Sequence, residues 1–373
     1  MEQDAVALAG VLSQEVLSKH AAEVDRDVKF PTEAMQAIQK AGLAGLLVPA
    51  QDGGLGADPL TCVKVWELLA SGCANTALCF VTHCAASVAL ASGARGPVRQ
   101  EELAELMRGS HLCALALSEP ASGSRPVSPE AAFTRGDQGY ILNGMKAFVS
   151  SALHADSFLV SALEKGTENV SLFLLPAWVE GIQLYGEWHA LGMRGSMSIN
   201  LRLQNAALEE KYRLGEEGRG AELLDSLVYP NFTLGMAAVD VGIAQVALDA
   251  TVKHVKTRRY SRQGGALSDS SVIRDQLGRM YAGVESARSL THRAASALAT
   301  DGPVASRRLI SAAKLTASRH AAEVTDTALD VCGGRGYTQT LAVERHFRDA
   351  RASAVIGPTS GWLAQWLGQE LVK

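Results

Sequence analysis

The sequence Asp330-Val331-Cys332-Gly333-Gly334-Arg335-Gly336-Tyr337 is followed closely by Val343-Glu344-Arg345-His346-Phe347-Arg348-Asp349-Ala350-Arg351. Three glycines interrupt an alanine-rich helical run, so the backbone there turns with positive φ or comes close to a flat or phosphorylated group. By themselves the glycines also fit an ordinary helix C-terminal cap. The charged segment that follows them favours a functional site.

Length and composition set the first limits. The chain has 373 residues, which allows two or three packed layers and excludes a single small domain. A hydrophobic content of 47% with 20% charged residues is typical of a soluble protein. The formal net charge of −4 predicts no general affinity for nucleic acid or anionic membranes.

The N-terminal sequence Met1-Glu2-Gln3-Asp4 is acidic and has no basic flank or apolar core of a signal peptide. We expect no membrane span, because no apolar run approaches the length of about 20 uncharged residues that a spanning helix needs. The six cysteines form no C-x-x-C pair, and without a secretory context they fit a reducing compartment. A cytoplasmic protein is therefore expected.

Three of the cysteines lie close to a histidine and suggest a metal site. Cys73, Cys79, His83 and Cys84 occupy an apolar, alanine-rich segment without zinc-type spacing, so buried helical thiols are the better interpretation. A position near a substrate channel is an alternative for His83.

The pattern along the chain predicts an α+β protein with three domains. Residues 1–111 read as helices, and a helix start is indicated at Phe30-Pro31-Thr32-Glu33. Residues 112–214 contain strand-sized apolar pieces with a turn at Asn143-Gly144, which predicts a compact antiparallel, barrel-like β domain. Residues 215–373 are helical again, with one buried stripe that continues through Val241, Ala244, Leu248, Val252 and Val255.

Together, the glycine segment and the charged segment resemble the C-terminal signature of the acyl-CoA dehydrogenase family. The resemblance runs through nearly the whole chain. It implies an N-terminal helical domain, a middle antiparallel β domain, a C-terminal four-helix bundle, a bound FAD and a homotetramer. By resemblance, Gly333 and Gly334 approach the flavin, and Asp330 stands where a flavin-contacting glutamine is common.

The segment Ala116-Leu117-Ser118-Glu119-Pro120-Ala121-Ser122-Gly123-Ser124 resembles the family motif A-x-[TS]-E-P-x-x-G-S. The resemblance assigns FAD contacts to Leu117, Ser118, Gly123 and Ser124, and it places Ser124 beside the thioester end of the substrate. Without the family, the segment fits a turn between strands.

A second segment, Asn143-Gly144-Met145-Lys146-Ala147-Phe148-Val149-Ser150, resembles N-G-x-K-x-[WF]-[IV]-[TS]. By resemblance, Phe148 covers the flavin and the Ser150 hydroxyl bonds its ring edge. From the pattern alone, Phe148 is a core residue and Ser150 an exposed strand residue. Gly192-Met193-Arg194-Gly195-Ser196 resembles a family turn that opens a strand rather than carrying chemistry.

The basic run from Lys253 to Arg262 ends the long helix. A solvated helix face or a dipole cap explains several of its charges, and nucleic-acid binding does not fit one cluster in an acidic protein. By resemblance, Arg258, with Arg259 as the neighbouring alternative, reaches the pyrophosphate of an adjacent subunit's FAD. The family's following Phe-Gly is absent, and Ser271 stands where a glutamine is frequent.

The main departure from the family concerns the catalytic base, which removes the α-proton and contributes about 10²–10⁴-fold to the rate. The usual glutamate position is occupied by Gly357, and the alternative position on the long helix by Phe232. Thr359 matches the family's turn and is expected to contact FAD. The catalytic residue is therefore not identified.

Three hypotheses remain. The first is a desaturating flavoenzyme that acts on an acyl thioester, with its base elsewhere or with an acidic substrate. The second is a flavin monooxygenase of the same fold, which has no use for that glutamate, and the third is a flavin- or acyl-binding protein without activity. The acyl group is attached as a thioester to coenzyme A or to a carrier protein. The electron acceptor is an electron-transfer flavoprotein or oxygen.

Overall fold

The computed structural model describes residues 2–94, 96–121, 127–259 and 265–373. The helices are α1 Glu2–Leu12, α2 Ser18–Arg26, α3 Thr32–Lys40, α4 Pro59–Gly72, α5 Ala74–Gly93, α6 Gly96–Met107, α7 Gly220–Leu223, α8 Tyr229–Thr257, α9 Ser271–Cys332, α10 Gly334–Tyr337, α11 Val343–Ser353 and α12 Ser360–Leu371. The strands are β1 Cys113–Ala116, β2 Ala132–Gly136, β3 Gly139–Val149, β4 Ser157–Glu164, β5 Val170–Pro176, β6 Ile182–Tyr185, β7 Ile199–Glu209 and β8 Arg213–Leu214. The predicted order of helices, strands and helices is confirmed.

Local sequence signals define the ends of α4 and α5, the two central helices of the first helical layer. Asp58 caps α4 by accepting hydrogen bonds from the N–H groups of Leu60 and Thr61, and Pro59 occupies the first turn. Cys73 then adopts an extended conformation, with φ of −156°, and separates α4 from α5. The helix α5 is buried on nearly all sides and forms the centre of this layer.

Two helical stretches are long and apolar enough to cross a membrane, so the expectation that no such run exists is wrong. They are Ala74–Gly93 and Gly220–Thr257, of which 94% and 78% of the most apolar window is buried inside the protein. Both pack in the hydrophobic core of the structure. Their composition therefore has an explanation in the core of the fold.

The middle domain is a sheet in the order β6-β7-β3-β2-β4-β5-β8, with β1 beside β4. The prediction of a purely antiparallel sheet is wrong, because β4 runs parallel to both β1 and β2. Strand-sized apolar runs show which segments enter a sheet. They do not show which segments become neighbours, and a long connection permits the parallel pairing.

The predicted turn at Asn143-Gly144 is instead a bulge within one continuous strand, β3. The pairing of β3 with β7 shifts register between Leu142 and Gly144. Gly144 has φ of 147°, and a Cβ added there would lie 2.6 Å from the Cα of Ala131. Glycine is needed because the neighbouring backbone leaves no room for a side chain.

The C-terminal helices are held together by a buried polar cluster as well as by the predicted stripe on α8. The carboxylate of Asp240 accepts a 2.6 Å hydrogen bond from the Ser353 hydroxyl. The Lys314 ammonium donates to the carbonyl oxygens of Ser353, at 2.6 Å, and Ile356, at 3.4 Å. Burial raises the pKa of Asp240 and lowers that of Lys314. The cluster fixes the end of α11 and the turn that follows it.

Candidate active site

A cavity of about 880 Å³ lies between the middle sheet and the C-terminal helices. Leu115 and Leu117 form part of its strand wall, and Leu78 and Thr82 of α5 form another part. The start of α8 and the turn between α11 and α12 close the remaining sides. A largely apolar wall with a few polar groups is typical of a small-molecule site.

Six of the residues predicted to contact FAD or to occupy a base position line this one cavity. They are Leu117, Ser118, Phe148, Ser150, Phe232 and Gly357. The resemblance predicts flavin contacts for the first four and the base positions for the last two, and these roles stay predictions. The segments that carry them are far apart in sequence.

A chain of hydroxyl groups lies along one wall. The oxygen atoms of Ser150 and Ser198 are 2.8 Å apart, as are those of Ser198 and Ser196. The Ser196 hydroxyl donates to the carbonyl oxygen of Met193. Since each hydroxyl has a single proton, Ser198 must donate to Ser196 and Ser150 to Ser198. Ser150 therefore offers lone pairs to a donor in the cavity.

Sequence reasoning missed Ser196 and Ser198 as members of the site. The G-x-R-G-S segment was noticed but was interpreted as a turn without chemistry. It does open a strand, because β7 begins at Ile199. Its hydroxyl groups also line the cavity, so the segment has both roles.

Phe148 and Ser150 reverse the burial that the strand pattern predicts. Phe148 is 67% exposed at the cavity wall, whereas Ser150 is 8% exposed. The reason is that Phe148 has a left-handed φ of 57° and the β3–β7 pairing shifts register between Lys146 and Val149. The ring of Phe148 meets the ring of Trp188 edge to face, with centroids 6.4 Å apart.

A fully buried ion pair supports the Ser118 segment from behind. The Lys146 ammonium donates to Oε1 of Glu119 at 2.5 Å and to the carbonyl oxygen of Ser161 at 2.6 Å. The Glu119 carboxylate also accepts from the N–H groups of Glu130 and Ala131. Burial lowers the pKa of Lys146 to about 8, against the opposing effect of Glu119. Glu119 is thus a structural anchor.

The charged segment of the C-terminal signature, on α11, holds the turn before β7, which forms part of the cavity wall. The Arg348 guanidinium donates to both carboxylate oxygens of Asp25, at 2.8 and 2.6 Å, and to the carbonyl oxygen of Leu191. A Cβ at Gly192 would lie 2.1 Å from the Arg348 carbonyl oxygen, so only glycine fits there. The turn and α11 are in direct backbone contact.

No carboxylate stands at either expected base position, since these are Gly357 and Phe232. Within the described ranges 2–94, 96–121, 127–259 and 265–373, the carboxylates that line the cavity are Glu119 and Asp225. Glu119 is committed to Lys146. Asp225 lies in a π-helical turn, Leu224–Val228, and its Oδ1 is 3.2 Å from the Nη1 of Arg307. Neither Asp225 nor Arg307 was found from the sequence.

Several predicted FAD contacts lie outside the cavity. Asp330, Gly333 and Gly334 are exposed on the surface of the single chain, and Arg258 is half-buried at the C-terminal cap of α8. Thr359 caps α12, where its hydroxyl oxygen accepts from the N–H of Trp362. Gly123 and Ser124 lie outside the described residues.

The cysteines of the segment from Cys73 to Cys84 are free and buried, so the interpretation as buried thiols is confirmed. Cys73, Cys79 and Cys84 are all buried. His83 is also buried: its Nε2 lies 3.1 Å from the carbonyl oxygen of Ala44, and its Nδ1 accepts from the N–H of Cys113. The alternative that places His83 near the substrate channel is not supported, because it does not line the cavity.

Known proteins match this chain in its N-terminal helical part, its middle sheet and its C-terminal helical part. Family models match residues 3–110 as "Acyl-CoA dehydrogenase, N-terminal domain", residues 114–206 as its middle domain and residues 231–371 as its C-terminal domain. The chain is 32% identical over 349 residues to cyclohex-1-ene-1-carbonyl-CoA dehydrogenase of Geobacter metallireducens, covering 92% of this chain and 90% of that protein. It is 31% identical over 345 residues to the human mitochondrial short-chain specific acyl-CoA dehydrogenase, covering 91% and 82%.

A solved structure shows the same fold. The butyryl-CoA dehydrogenase of Megasphaera elsdenii superposes with a TM-score of 0.93 at 26% identity, covering 100% of this chain and 98% of that one. The fold and the matches define an oxidoreductase whose cofactor is FAD. The chain belongs to the acyl-CoA dehydrogenase family.

The residues around the cavity fit that cofactor. Ser118 and Ser150 offer hydroxyl groups, and the exposed ring of Phe148 offers a flat apolar face. The lone pairs of Ser150 suit an N–H at the edge of a flavin ring. The volume of about 880 Å³ lies in the usual range of small-molecule sites and leaves room for a flavin ring.

Proposed function

We propose that this chain is an FAD-dependent dehydrogenase that desaturates an acyl thioester between its α and β carbons, with a base displaced from both usual positions. One observation carries the proposal. Ser118, Phe148 and Ser150 line the same cavity as Gly357 and Phe232, so the residues predicted to contact a flavin share one space with the two predicted base positions.

The roles of the cavity residues follow from their chemistry. Ser118 and Ser150 bind the polar edge of the flavin ring, and Phe148 covers one of its faces. FAD supplies the acceptor for the hydride that leaves the β carbon. Leu78, Leu115 and the other apolar side chains exclude water from the acyl group, which strengthens the polar contacts that hold the thioester.

Removal of the α-proton in this protein cannot use a carboxylate at either usual base position. With Gly357 and Phe232 at the base positions, the proton leaves to a group outside these positions, or the substrate is acidic enough to need little assistance. The same two residues favour a second candidate function, a flavin monooxygenase of this fold, because that reaction does not require the carboxylate.

The partners belong to the same proposal. The acyl group is carried on coenzyme A or on an acyl carrier protein, which present it on the same phosphopantetheine arm. Electrons pass to an electron-transfer flavoprotein or to oxygen. A homotetramer explains why Gly333, Gly334 and Arg258 lie away from the cavity of their own chain, since each would serve the FAD of a neighbouring subunit.

Anaerobic mixing of the FAD-loaded protein with a panel of acyl thioesters tests the proposal. Loss of the oxidised flavin absorbance, with formation of the enoyl thioester, is the expected result. If no thioester bleaches the flavin, and reduced flavin instead consumes oxygen with insertion of an oxygen atom into a substrate, the monooxygenase is the correct function.

A further inference from the structure

Arg307 lies on the cavity wall in a geometry that packing alone does not explain. It comes from the second half of α9, beyond the break at Gly302, and lines the cavity together with Asp225 and Tyr229. Its Nε is buried and has no hydrogen-bond partner in the part of the chain that the structure describes. The protein's own groups therefore leave the hydrogen-bonding capacity of this guanidinium incomplete.

Two aromatic rings fix the position of this guanidinium. Its central carbon lies 4.8 Å from the centre of the Tyr229 ring and 5.3 Å from that of Trp366. The hydroxyl groups of Tyr229 and Ser311 are 2.8 Å apart, and Trp366 stacks on Trp362 with an interplanar angle of 8°. The guanidinium is therefore held in place before any ligand arrives, which reduces the entropy lost on binding.

The ion pair with Asp225 leaves Arg307 available to a ligand. Oδ1 of Asp225 lies 3.2 Å from Nη1, and the Asp225 side chain is 45% exposed, so solvent weakens the attraction. A guanidinium has five N–H donors arranged as a planar fork. The donors that Asp225 and the Tyr229 hydroxyl leave available on the terminal nitrogens suit an oxygen of a carboxylate or phosphate, and an apolar acyl chain alone would not require them.

We propose that Arg307 is a specificity-determining residue that binds an anionic oxygen group of the thioester substrate. The group is a carboxylate on the acyl chain or a phosphate of the carrier, since both offer the same oxygens to the guanidinium. The inference rests on the proposed function, because it concerns the thioester that enters this cavity.

Four enoyl thioesters separate the two sources of the anion. Crotonyl and glutaconyl groups differ by one carboxylate, and each is prepared on coenzyme A and on N-acetylcysteamine, which carries no phosphate. Their binding to the FAD-loaded protein is measured by titration calorimetry for the wild type, Arg307→Met and Arg308→Met. Arg308 is the matched control, because it is exposed on the same helix and does not line the cavity.

We expect Arg307→Met to weaken binding by about 10- to 100-fold for the ligands that carry the recognised anion, and Arg308→Met to leave it unchanged. A loss with both coenzyme A thioesters and neither N-acetylcysteamine thioester identifies the phosphate. A loss with both glutaconyl thioesters and neither crotonyl thioester identifies the carboxylate. Unchanged affinity for all four, or an equal loss that includes crotonyl-N-acetylcysteamine, overturns the inference.

A second variant decides the matter if Arg307→Met does not fold or retain FAD. Asp225→Asn removes the anion that competes for Arg307 and keeps the side-chain shape, so we expect tighter binding of the anionic ligand by a few-fold. Unchanged or weaker binding in Asp225→Asn would then overturn the inference. A wild type that binds none of the four thioesters refutes the proposed function itself, and the inference fails with it.

Discussion

The main-chain N–H of Met193 donates a 2.6 Å hydrogen bond to Oδ1 of Asp349. The contact joins the turn before β7 to α11, and Asp349 is fully buried. Burial raises the pKa of Asp349 to about 6, although the Met193 N–H opposes the shift. Met193 lines the cavity, so a carboxyl group whose neutral form is favoured by burial lies directly behind the cavity wall.

This shift predicts how Asp349→Asn changes stability with pH. Because the folded pKa lies above the unfolded value of about 3.9, the folded state binds more protons between these values, and stability is lost as pH rises from about 4 to 6. Asparagine keeps an oxygen for the Met193 N–H and has no such loss. We expect the melting temperature of Asp349→Asn relative to wild type to rise over this interval, corresponding to about 1–3 kcal/mol. A difference that is constant from pH 4 to 7 would contradict the prediction, and Asp349→Ala should be destabilised at every pH.

A methyl group at Gly192 should separate the turn from α11. The added Cβ would lie 2.1 Å from the Arg348 carbonyl oxygen, which is a backbone atom and cannot turn away as a flexible side chain could. We expect Gly192→Ala to lose about 2 kcal/mol or more of unfolding free energy and to bind FAD less tightly. Gly361→Ala is the matched control, since Gly361 is exposed in α12 with open space around it, and that change should be neutral or slightly stabilising. Equal melting temperatures for the two variants would show that the turn relaxes freely.

Restoring a carboxylate tests where the α-proton goes. If the protein is a dehydrogenase, Gly357→Glu or Phe232→Glu should accelerate anaerobic flavin reduction by a suitable acyl thioester by about 10²–10⁴-fold, the contribution of a well-placed base. Stopped-flow absorbance measures the rate. Gly361→Glu adds the same side chain outside the cavity and should have no effect. No acceleration by either variant with any thioester would favour the monooxygenase.

The proposed sharing of sites between subunits makes a prediction for Arg258. We expect Arg258→Ala to weaken FAD retention during gel filtration by more than it lowers the melting temperature, because the guanidinium would contact a neighbour's pyrophosphate. Light scattering gives the assembly state in the same run. A monomer that holds FAD tightly would refute the shared site.

Features of the fold and site that depend on residues near one another in sequence could be predicted, whereas features that depend on contacts between distant segments could not. The order of helices and strands follows from local periodicity, and the two β-domain motifs locate Ser118 and Ser150 at the cavity. Strand direction was not predictable in this way, because β1 and β4 become neighbours only in the folded sheet. Phe148 is exposed because its own φ is positive and the strand register shifts beside it. The alternation of buried and exposed residues along a regular strand predicts that Phe148 is buried.

The pair of Asp225 and Arg307 was missed for a related reason. Each is one charged residue in a helix, and such residues are usually solvated. Their significance comes from the aromatic rings of Tyr229 and Trp366, which α8 and α12 bring to the two sides of the guanidinium. No local pattern relates these three helices at that point.

The edge-to-face contact of Phe148 with Trp188, and the stacking of Trp362 on Trp366, place indole rings at two parts of the cavity wall. Indole emission overlaps the absorption of oxidised flavin, so Trp188 and Trp362 would transfer excitation to a flavin in this space. The protein thus carries its own optical reporters. Intrinsic fluorescence should be quenched when FAD enters and partly recovered when a thioester bleaches it, so occupancy and redox state could be followed in one cuvette without a label.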